Sequence, residues 1–330
     1  MANKRICSVR EEAIRLCKKH PEAPSRQIAR MLADSHNVTV ESARMNVRRA
    51  RGNAGVKARK FADVPRENQP AGWKPAMPES LAEPWLDFDL GNSINVAVLS
   101  DIHIPYHSPI AFSSAVAYCK KRKPNVLLIN GDLADFYSIS RHQKNPSMRD
   151  LEQEITLVRE GLAWLRHEFG KKCRIVLKLG NHEERWQHWL WNCAPEISNS
   201  SRMDVREWID ADKYGVEVVG DRRPVQCGKL TVFHGHELPF GANAVNTARG
   251  TFLRALSTML VGHSHRTSQH SEPNYRHVET CCWSIGCLAD LYPDYAKINK
   301  WNHGFAIVNV DITGEFHVEN MRMSLDGKVW

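Results

Sequence analysis

Five short blocks hold the polar residues of this chain best suited to chemistry. They are Asp101 with His103; Asp132 and Asp135 behind Gly131; Asn181, His182 and Glu183 behind Gly180; His234 before Gly235; and His263 with His265 behind Gly262. Together they read as a two-metal site. Carboxylate, amide and imidazole donors without thiolates suit Mn, Fe, Zn or Ni rather than a cysteine-rich structural zinc. A lone histidine is more often a hydrogen-bonded surface residue than a ligand. Five histidines in ordered blocks, beside three aspartates and an asparagine, reverse that expectation.

Such residues need elements to hold them. Four blocks directly follow apolar, β-branched runs at 95–100, 126–130, 175–179 and 230–233, and the fifth follows a shorter run at 258–261. Short apolar runs that end in Asp, Asn or His predict buried strands delivering polar groups to one rim of a sheet. Helices are expected between them, at 111–121, at 183–193 and from an Asp150 cap onward. The last has Leu151, Ile155, Val158, Leu162, Leu165 and Phe169 as a core-facing stripe. Past Gly215 the segments shorten and turn to strand formers, at 216–219, 225–227, 281–285, 305–310 and 315–318. Alternating β and α first, then mostly β, fits two packed mixed sheets with helices outside.

The bulk numbers set limits. With 330 residues and 42% hydrophobic content, the chain suits one large domain and a small one. No apolar run approaches the ~20 residues of a membrane helix, and the basic N-terminus has no apolar stretch behind it. Nine cysteines at irregular spacing predict reduced structural thiols, not a disulfide framework. Cys281, Cys282 and Cys287 lack the spacing of a zinc cluster. A cytoplasmic compartment, with no membrane contact, is the expectation.

Charge is unevenly placed. Residues 1–64 hold 15 Lys/Arg against 6 Asp/Glu, whereas the remainder holds 30 against 31. A basic module on a near-neutral body points to a polyanionic partner. That module, residues 1–60, reads as a small all-helical domain of three short helices. Ser8 with Glu11 offers a capping box for the first, Ser25 a cap for the second and Thr39 a cap for the third. Ala13, Ile14, Leu16 and Cys17, then Ile28, Met31 and Leu32, then Ala43, Val47 and Ala50 form the apolar sides. Arg44, Arg48 and Arg51 share one face of the third helix. Three short helices with a basic last one resemble a helix-turn-helix, whose last helix would enter a DNA major groove. A protein-docking domain with a solvated basic face is the other reading. Residues 61–92, with five prolines, read as a linker anchored by Trp73, Trp85 and Phe88, and residues 93–330 as the main domain.

The order and chemistry of the five blocks resemble the calcineurin-like metallophosphoesterase superfamily, over roughly residues 94–320. The stretches 136–146 and 286–304 are also similar to those of bacteriophage-encoded members. The resemblance implies an α/β fold, a four-layer α/β/β/α sandwich of two mixed sheets, and two divalent metal ions, Mn first, with Fe, Zn, Ni or Mg as others. It assigns Asp101, His103, Asp132 and His265 to one ion, and Asp132, Asn181, His234 and His263 to the other. It further implies a metal-bridging hydroxide as nucleophile and His182 as general acid, its tautomer held by the carboxylate of Asp135. Glu183 is expected to buttress the loop. Arg141, His142, Arg185 and His236, near the motif loops, are candidate phosphate contacts.

Three functions follow from this reading. The first is a phosphodiesterase or nuclease acting on DNA or RNA, delivered by the basic module. The second is a phosphomonoesterase acting on nucleotides or phosphoproteins. The third, an inactive DNA-binding regulator, is opposed by the filling of every ligand slot and of position 182.

Overall fold

The computed structural model describes residues 2–52, 77–141, 145, 147, 150–238 and 245–330, with side chains from residue 9 onward. His142 and Trp73 lie outside them. The chain divides into two compact units between Ala82 and Glu83.

The first unit has three helices, α1 (Ala2–Lys19), α2 (Ser25–His36) and α3 (Val40–Ala50). Ala13, Ile28, Ala29, Leu32, Ala43 and Val47 are buried between them. Thr39 caps α3, its hydroxyl accepting from the Ser42 amide at 3.2 Å. Other expectations are corrected here. Helix α1 starts at Ala2, so Ser8 lies inside it rather than at its cap. Ser25 is the first residue of α2, and its hydroxyl accepts from the Arg51 guanidinium at 3.1 Å. Ile14 and Met31 are 39% exposed, because three short helices bury only a narrow stripe each.

The second unit opens with β1 (Phe88–Asp89), β2 (Ile94–Leu99), α4 (Pro109–Lys121), β3 (Val126–Asn130), α5 (Leu151–Phe169), β4 (Arg174–Lys178) and α6 (Asn181–Cys193). It continues through α7 (Val205–Trp208), β5 (Val216–Val219), β6 (Val225–Cys227), β7 (Leu230–Phe233), α8 (Thr247–Ala255) and β8 (Met259–Val261). Strands β9 (Ser268–Pro273), β10 (Glu279–Ser284), β11 (His303–Val310) and β12 (Phe316–Met323) complete it. Two six-stranded mixed sheets result, ordered β12-β11-β2-β3-β4-β5 and β1-β6-β7-β8-β10-β9.

Alternation along the strands makes the layers. Leu99, Leu127, Ile129 and Leu177 face outward onto Phe112 and Val116 of α4 and Val158 and Leu162 of α5. Val96, Val98, Leu128 and Val176 face inward onto Val225, Leu230, Val232 and Leu260 of the other sheet. Ala248 and Phe252 of α8 cover that sheet's far side against Met259, Val261 and Cys282. The result is an α/β/β/α sandwich. Strands β2, β3, β4 and β5 run parallel, as do β7 and β8, so the loops of all five blocks leave carboxyl ends of strands.

Three elements differ from the sequence reading. The stretch taken as linker ends in a strand, β1, parallel to β6, although Trp85 anchors it as expected, donating its indole N–H to the Asp221 carbonyl at 2.9 Å. Strand β9 is polar throughout because it is a largely exposed edge, hydrogen-bonded only to β10. Helix α8 is short and only weakly amphipathic, with too little period to be read locally. Among the described residues, no helix is long and apolar enough to cross a membrane. The described cysteines are all free thiols.

Candidate active site

The backbone pays attention to the site before any side chain does. Asp101, His103, Asp132, His263 and His265 all have φ between 53° and 62°, in the left-handed region. Each such non-glycine residue costs about 1–3 kcal/mol and persists only where the surroundings over-determine it. Here they do. The amides of Ile102 and His103 both donate to the Asp132 carbonyl at 2.9 Å, and the Asp101 amide donates to Gly131 at 3.1 Å. The Asn302 amide holds the His265 carbonyl at 2.9 Å. Left-handed turns at alternate positions let residues two apart point at one place. Gly180 allows close approach, since a side chain there would strike the Asp132 carboxylate.

Glu183 locks the loops together. Its buried carboxylate accepts from the amides of Asp132 and Ala134 at 3.0 Å each and of Gly180 at 2.8 Å. Burial, then the Asp132 charge, pushes its pKa up.

Among the described residues the side chains converge in three groups, one of them His103 with Asp135 and His182, and two of them matching the expected ligands. Donor atoms of Asp101, His103 and His265 lie within 4.8 Å of one another, and so do those of Asp132, His234 and His263. Asn181 joins the latter, its amide oxygen 3.2 Å from His234 Nε2. Asp132 sits between the groups, with Oδ2 3.2 Å from His234 Nε2 and 3.7 Å from His103 Nε2.

Whether cations fit can be tested on the protons. His234 Nδ1 donates to the Asn130 carbonyl at 2.7 Å. In a neutral ring this leaves a bare lone pair on Nε2, facing two further acceptors, Asp132 Oδ2 and Asn181 Oδ1. His103 Nδ1 lies 2.9 Å from Asp135 Oδ1, so its Nε2 likewise turns a lone pair toward His265 Nε2 at 3.2 Å. Asp101 Oδ1, fully buried, makes no hydrogen bond, and lies 3.1 Å from His265 Nε2 and 4.0 Å from His234 Nε2. Such facing groups require positive charge between them, which either a ring proton or a bound cation supplies. The donor set therefore fits two divalent ions, one that Asp101, His103, Asp132 and His265 could hold and one that Asp132, Asn181, His234 and His263 could hold.

Electrostatics make the same demand. Burial alone would lower the His234 pKa, yet Asp132 and Asp101 beside it raise it to about 10. Burial would raise Asp101 and Asp132, but the facing imidazoles hold both far below the usual carboxylate range. His263 is solvent-exposed at the rim, yet partial desolvation and then the charge of His234 push its pKa down to about 4.

His182 sits at the edge of the cluster, its Nε2 3.8 Å from Asp132 Oδ2. The expected partner is corrected in part. His182 Nδ1 donates to the Asp135 backbone carbonyl at 2.7 Å, with the carboxylate Oδ1 at 3.2 Å, nearer to His103 than to His182. Sequence spacing cannot distinguish a residue's carbonyl from its side chain. Arg185 donates to the same carbonyl at 2.9 Å and to His182 Nε2 at 2.8 Å, so it holds the histidine rather than standing free.

The remaining candidates divide. Exposed Arg141 lines a cavity of about 640 Å³ with Asn181, Arg185, Arg222 and His236. His236 Nε2 lies 3.0 Å from a Glu184 carboxylate that Arg222 also engages, at 2.8 Å. Arg44 and Arg48 of the first unit are exposed, but Arg51 is not available to a partner. It lies past the end of α3 and folds back onto Ser25 and the carbonyls of Pro21 and Ala23, carbonyls the loop between α1 and α2 leaves unpaired.

Several contributors escaped the sequence. Ser100 donates to Asp101 Oδ2 at 2.6 Å, and the Asn130 carbonyl sets the His234 tautomer. Trp301 packs edge-on against His265, ring centroids 4.2 Å apart. Cys287 is buried behind the same imidazole, which with His303 draws its pKa down to about 7 against burial. Ser100 and Asn130 adjoin motif residues and were open to suspicion. Cys287 and Trp301 reach the site only through tertiary folding.

The Gene 54 protein of Mycobacterium phage L5 is 26% identical over 262 residues, covering 72% of this chain and 99% of that protein. Its namesake in Mycobacterium phage D29 is 27% identical over 260 residues, with the same coverage. A solved phosphoesterase from E. coli, Yfce, aligns over 71% of this chain and 96% of its own at 15% identity and a TM-score of 0.34. The model of the calcineurin-like phosphoesterase family matches residues 94–282, more than half of the chain and all five polar blocks. The chain belongs to the calcineurin-like phosphoesterase family and is a metal-dependent phosphoesterase.

Proposed function

We propose that this phosphoesterase cleaves phosphodiesters, with DNA or RNA as substrate and the basic N-terminal unit as a polyanion-binding module. The observation that carries the reading is a pair of cavities, each bordering a different half of the cluster. One, of about 520 Å³, opens beside His103 and Asp135; the other, of about 640 Å³, beside Asn181 and Arg185. A diester has two arms to lodge, and a monoester only one. The exposed Arg44 and Arg48 on α3 support a long anionic substrate.

Bound divalent ions, manganese first, supply an activated water and neutralise charge on the phosphoryl oxygens. The chain's own residues do the rest. Asp135 fixes the His103 ring through Nδ1, and its carbonyl fixes His182. His182 protonates the leaving alkoxide only when Nε2 carries a proton, so Arg185 must turn from Nε2 toward the phosphate as substrate enters. His236 and Arg141 complete the basic side. The phage relatives support the host cytoplasm as the compartment.

A substrate panel tests this. Bis-p-nitrophenyl phosphate, p-nitrophenyl phosphate, single- and double-stranded DNA, and RNA are each assayed with Mn, Ni, Mg and Zn. Diester and nucleic-acid cleavage exceeding monoester cleavage is expected. Hydrolysis of p-nitrophenyl phosphate alone would overturn the proposal in favour of a phosphomonoesterase.

A further inference from the structure

We infer that the cavity beside His103 is a nucleobase subsite, which seats the base of a nucleotide joined to the reacting phosphate; this rests on the phosphodiesterase reading above. Its walls are aromatic: Tyr106, Tyr137, Tyr292, Tyr295 and Trp301. Tyr106 and Tyr137 meet edge-on at 5.8 Å between centroids, and Tyr295 and Trp301 at 6.2 Å. At about 520 Å³ the space admits a nucleoside.

The cavity is built, not incidental. Its loop, residues 286–302, is fastened to the loop that carries Asp101 and His103. Leu288 donates to the Asp101 carbonyl at 3.0 Å, Ser108 to Leu288 at 2.8 Å and Asp290 to Tyr106 at 2.8 Å. The Asn299 amide closes the loop on itself through the carbonyls of Leu291 at 2.6 Å and Ala296 at 2.7 Å. Trp301 joins this wall to the cluster through its contact with His265. Within so firm a frame Tyr292 and Tyr295 remain more than half exposed, their rings without the cover that core aromatics have.

Charge selects the ligand. The cavity's single described lysine, Lys297, is paired with Asp294 at 2.8 Å and donates to the Tyr292 carbonyl at 2.9 Å. No described lining cation is therefore left for a phosphate. Asp290 stands at the rim instead: its Oδ1 takes the Tyr292 amide at 3.2 Å, and its second oxygen can accept from the amino and ring N–H groups that bases carry and a plain phenyl ring lacks. A flat ring with N–H donors, attached to a phosphate at the cluster, is a nucleotide.

The test uses the full-length, metal-loaded enzyme and p-nitrophenyl phosphodiesters whose second arm is methyl, benzyl, thymidine 5′ or thymidine 3′. A preference in kcat/KM of about tenfold or more for one thymidine ester over the methyl ester is expected, in line with one base stack. Tyr295→Ala should shrink that ratio several-fold, and Tyr295→Phe should restore it. A ratio near one, a ratio unmoved by Tyr295→Ala, or a benzyl ester favoured as strongly as thymidine would overturn the inference; the last would mean that the cavity reads a bare ring, as in an aromatic peptide side chain. If no diester is cleaved, the phosphodiesterase reading fails by itself. Equilibrium dialysis of thymidine then decides the cavity: binding that Tyr295→Ala weakens upholds a base site, and no binding overturns it.

Discussion

The two units of this chain use polar residues in opposite ways. In the second, Asp101, Asp132, His234 and His265 are buried, five blocks' worth of donors face one another, and the backbone is held in left-handed turns to keep them there. In the first, Arg44 and Arg48 stand in solvent on a three-helix bundle, outside its buried cluster, with Arg44 in one exposed pairing to Glu41 at 3.4 Å. Buried charge is so costly that its presence announces a purpose. Solvated charge costs almost nothing, so its purpose depends on a partner. Arg51 marks the boundary between the two: it shares the sequence spacing of Arg44 and Arg48, yet serves the fold of its own unit.

The contrast breaks most sharply at Asp132. Asp132→Ala removes the carboxylate between the two groups, and turnover should fall by ~10³-fold or more, the several kcal/mol that metal charge stabilisation supplies. Metal content measured on the purified variant should fall with it. Retained activity and metal would mean that the buried cluster is not the reaction centre.

Next comes His182→Ala. Metal content should hold, because the ring nitrogens of this side chain are engaged by the Asp135 carbonyl and by Arg185, while the rate should drop ~10²–10⁴-fold. The loss should be smallest for p-nitrophenyl esters, whose leaving group needs little protonation. Equal losses on good and poor leaving groups would remove His182 from the role of general acid.

The first unit predicts a smaller and different effect. Replacing Arg44 and Arg48 by Ala should leave turnover of small diesters alone and lower the slope of log affinity against log salt by up to ~2 for long nucleic acid. Arg51→Ala should instead lower the melting temperature, since it unties the loop between α1 and α2. An unchanged salt slope in the double variant would make the unit a protein-docking domain.

The smallest effect concerns pH. Glu154 of α5 is buried, accepts from the Phe136 amide, and has its pKa raised to about 8, by burial first and by Asp135 second. An acid with a raised folded-state pKa favours the fold fully below its unfolded value, near 4.5, and loses that contribution as pH climbs to about 8. Thermal melts from pH 5 to 8 should therefore fall less steeply in Glu154→Gln than in the natural chain. Parallel slopes would show that Glu154 does not titrate across that range.

Much of the second unit was legible because its signals are local. Strands at Val126–Asn130, Val216–Val219, Val225–Cys227 and Leu230–Phe233 match the apolar runs read from the sequence, and polar blocks follow the ends of the first and the last. A run of β-branched residues closed by Asp or His states both its element and its rim within about six positions. Strands β1 and β9 were not legible, since two residues make no pattern and an exposed edge needs no apolar face.

What folding alone decided is which groups meet. His103 and His265 stand 162 residues apart in sequence and 3.2 Å apart in space. That His182 leans on the Asp135 carbonyl, that Arg185 holds it, and that Trp301 and Tyr295 wall a cavity beside His103 depend on two sheets packing face to face and on one loop fastened to another. Residue types and strand ends are written over short windows and survive any tertiary arrangement. Partners, tautomers and cavities are set by distances between distant segments, which the packed core of valines and leucines between the sheets determines.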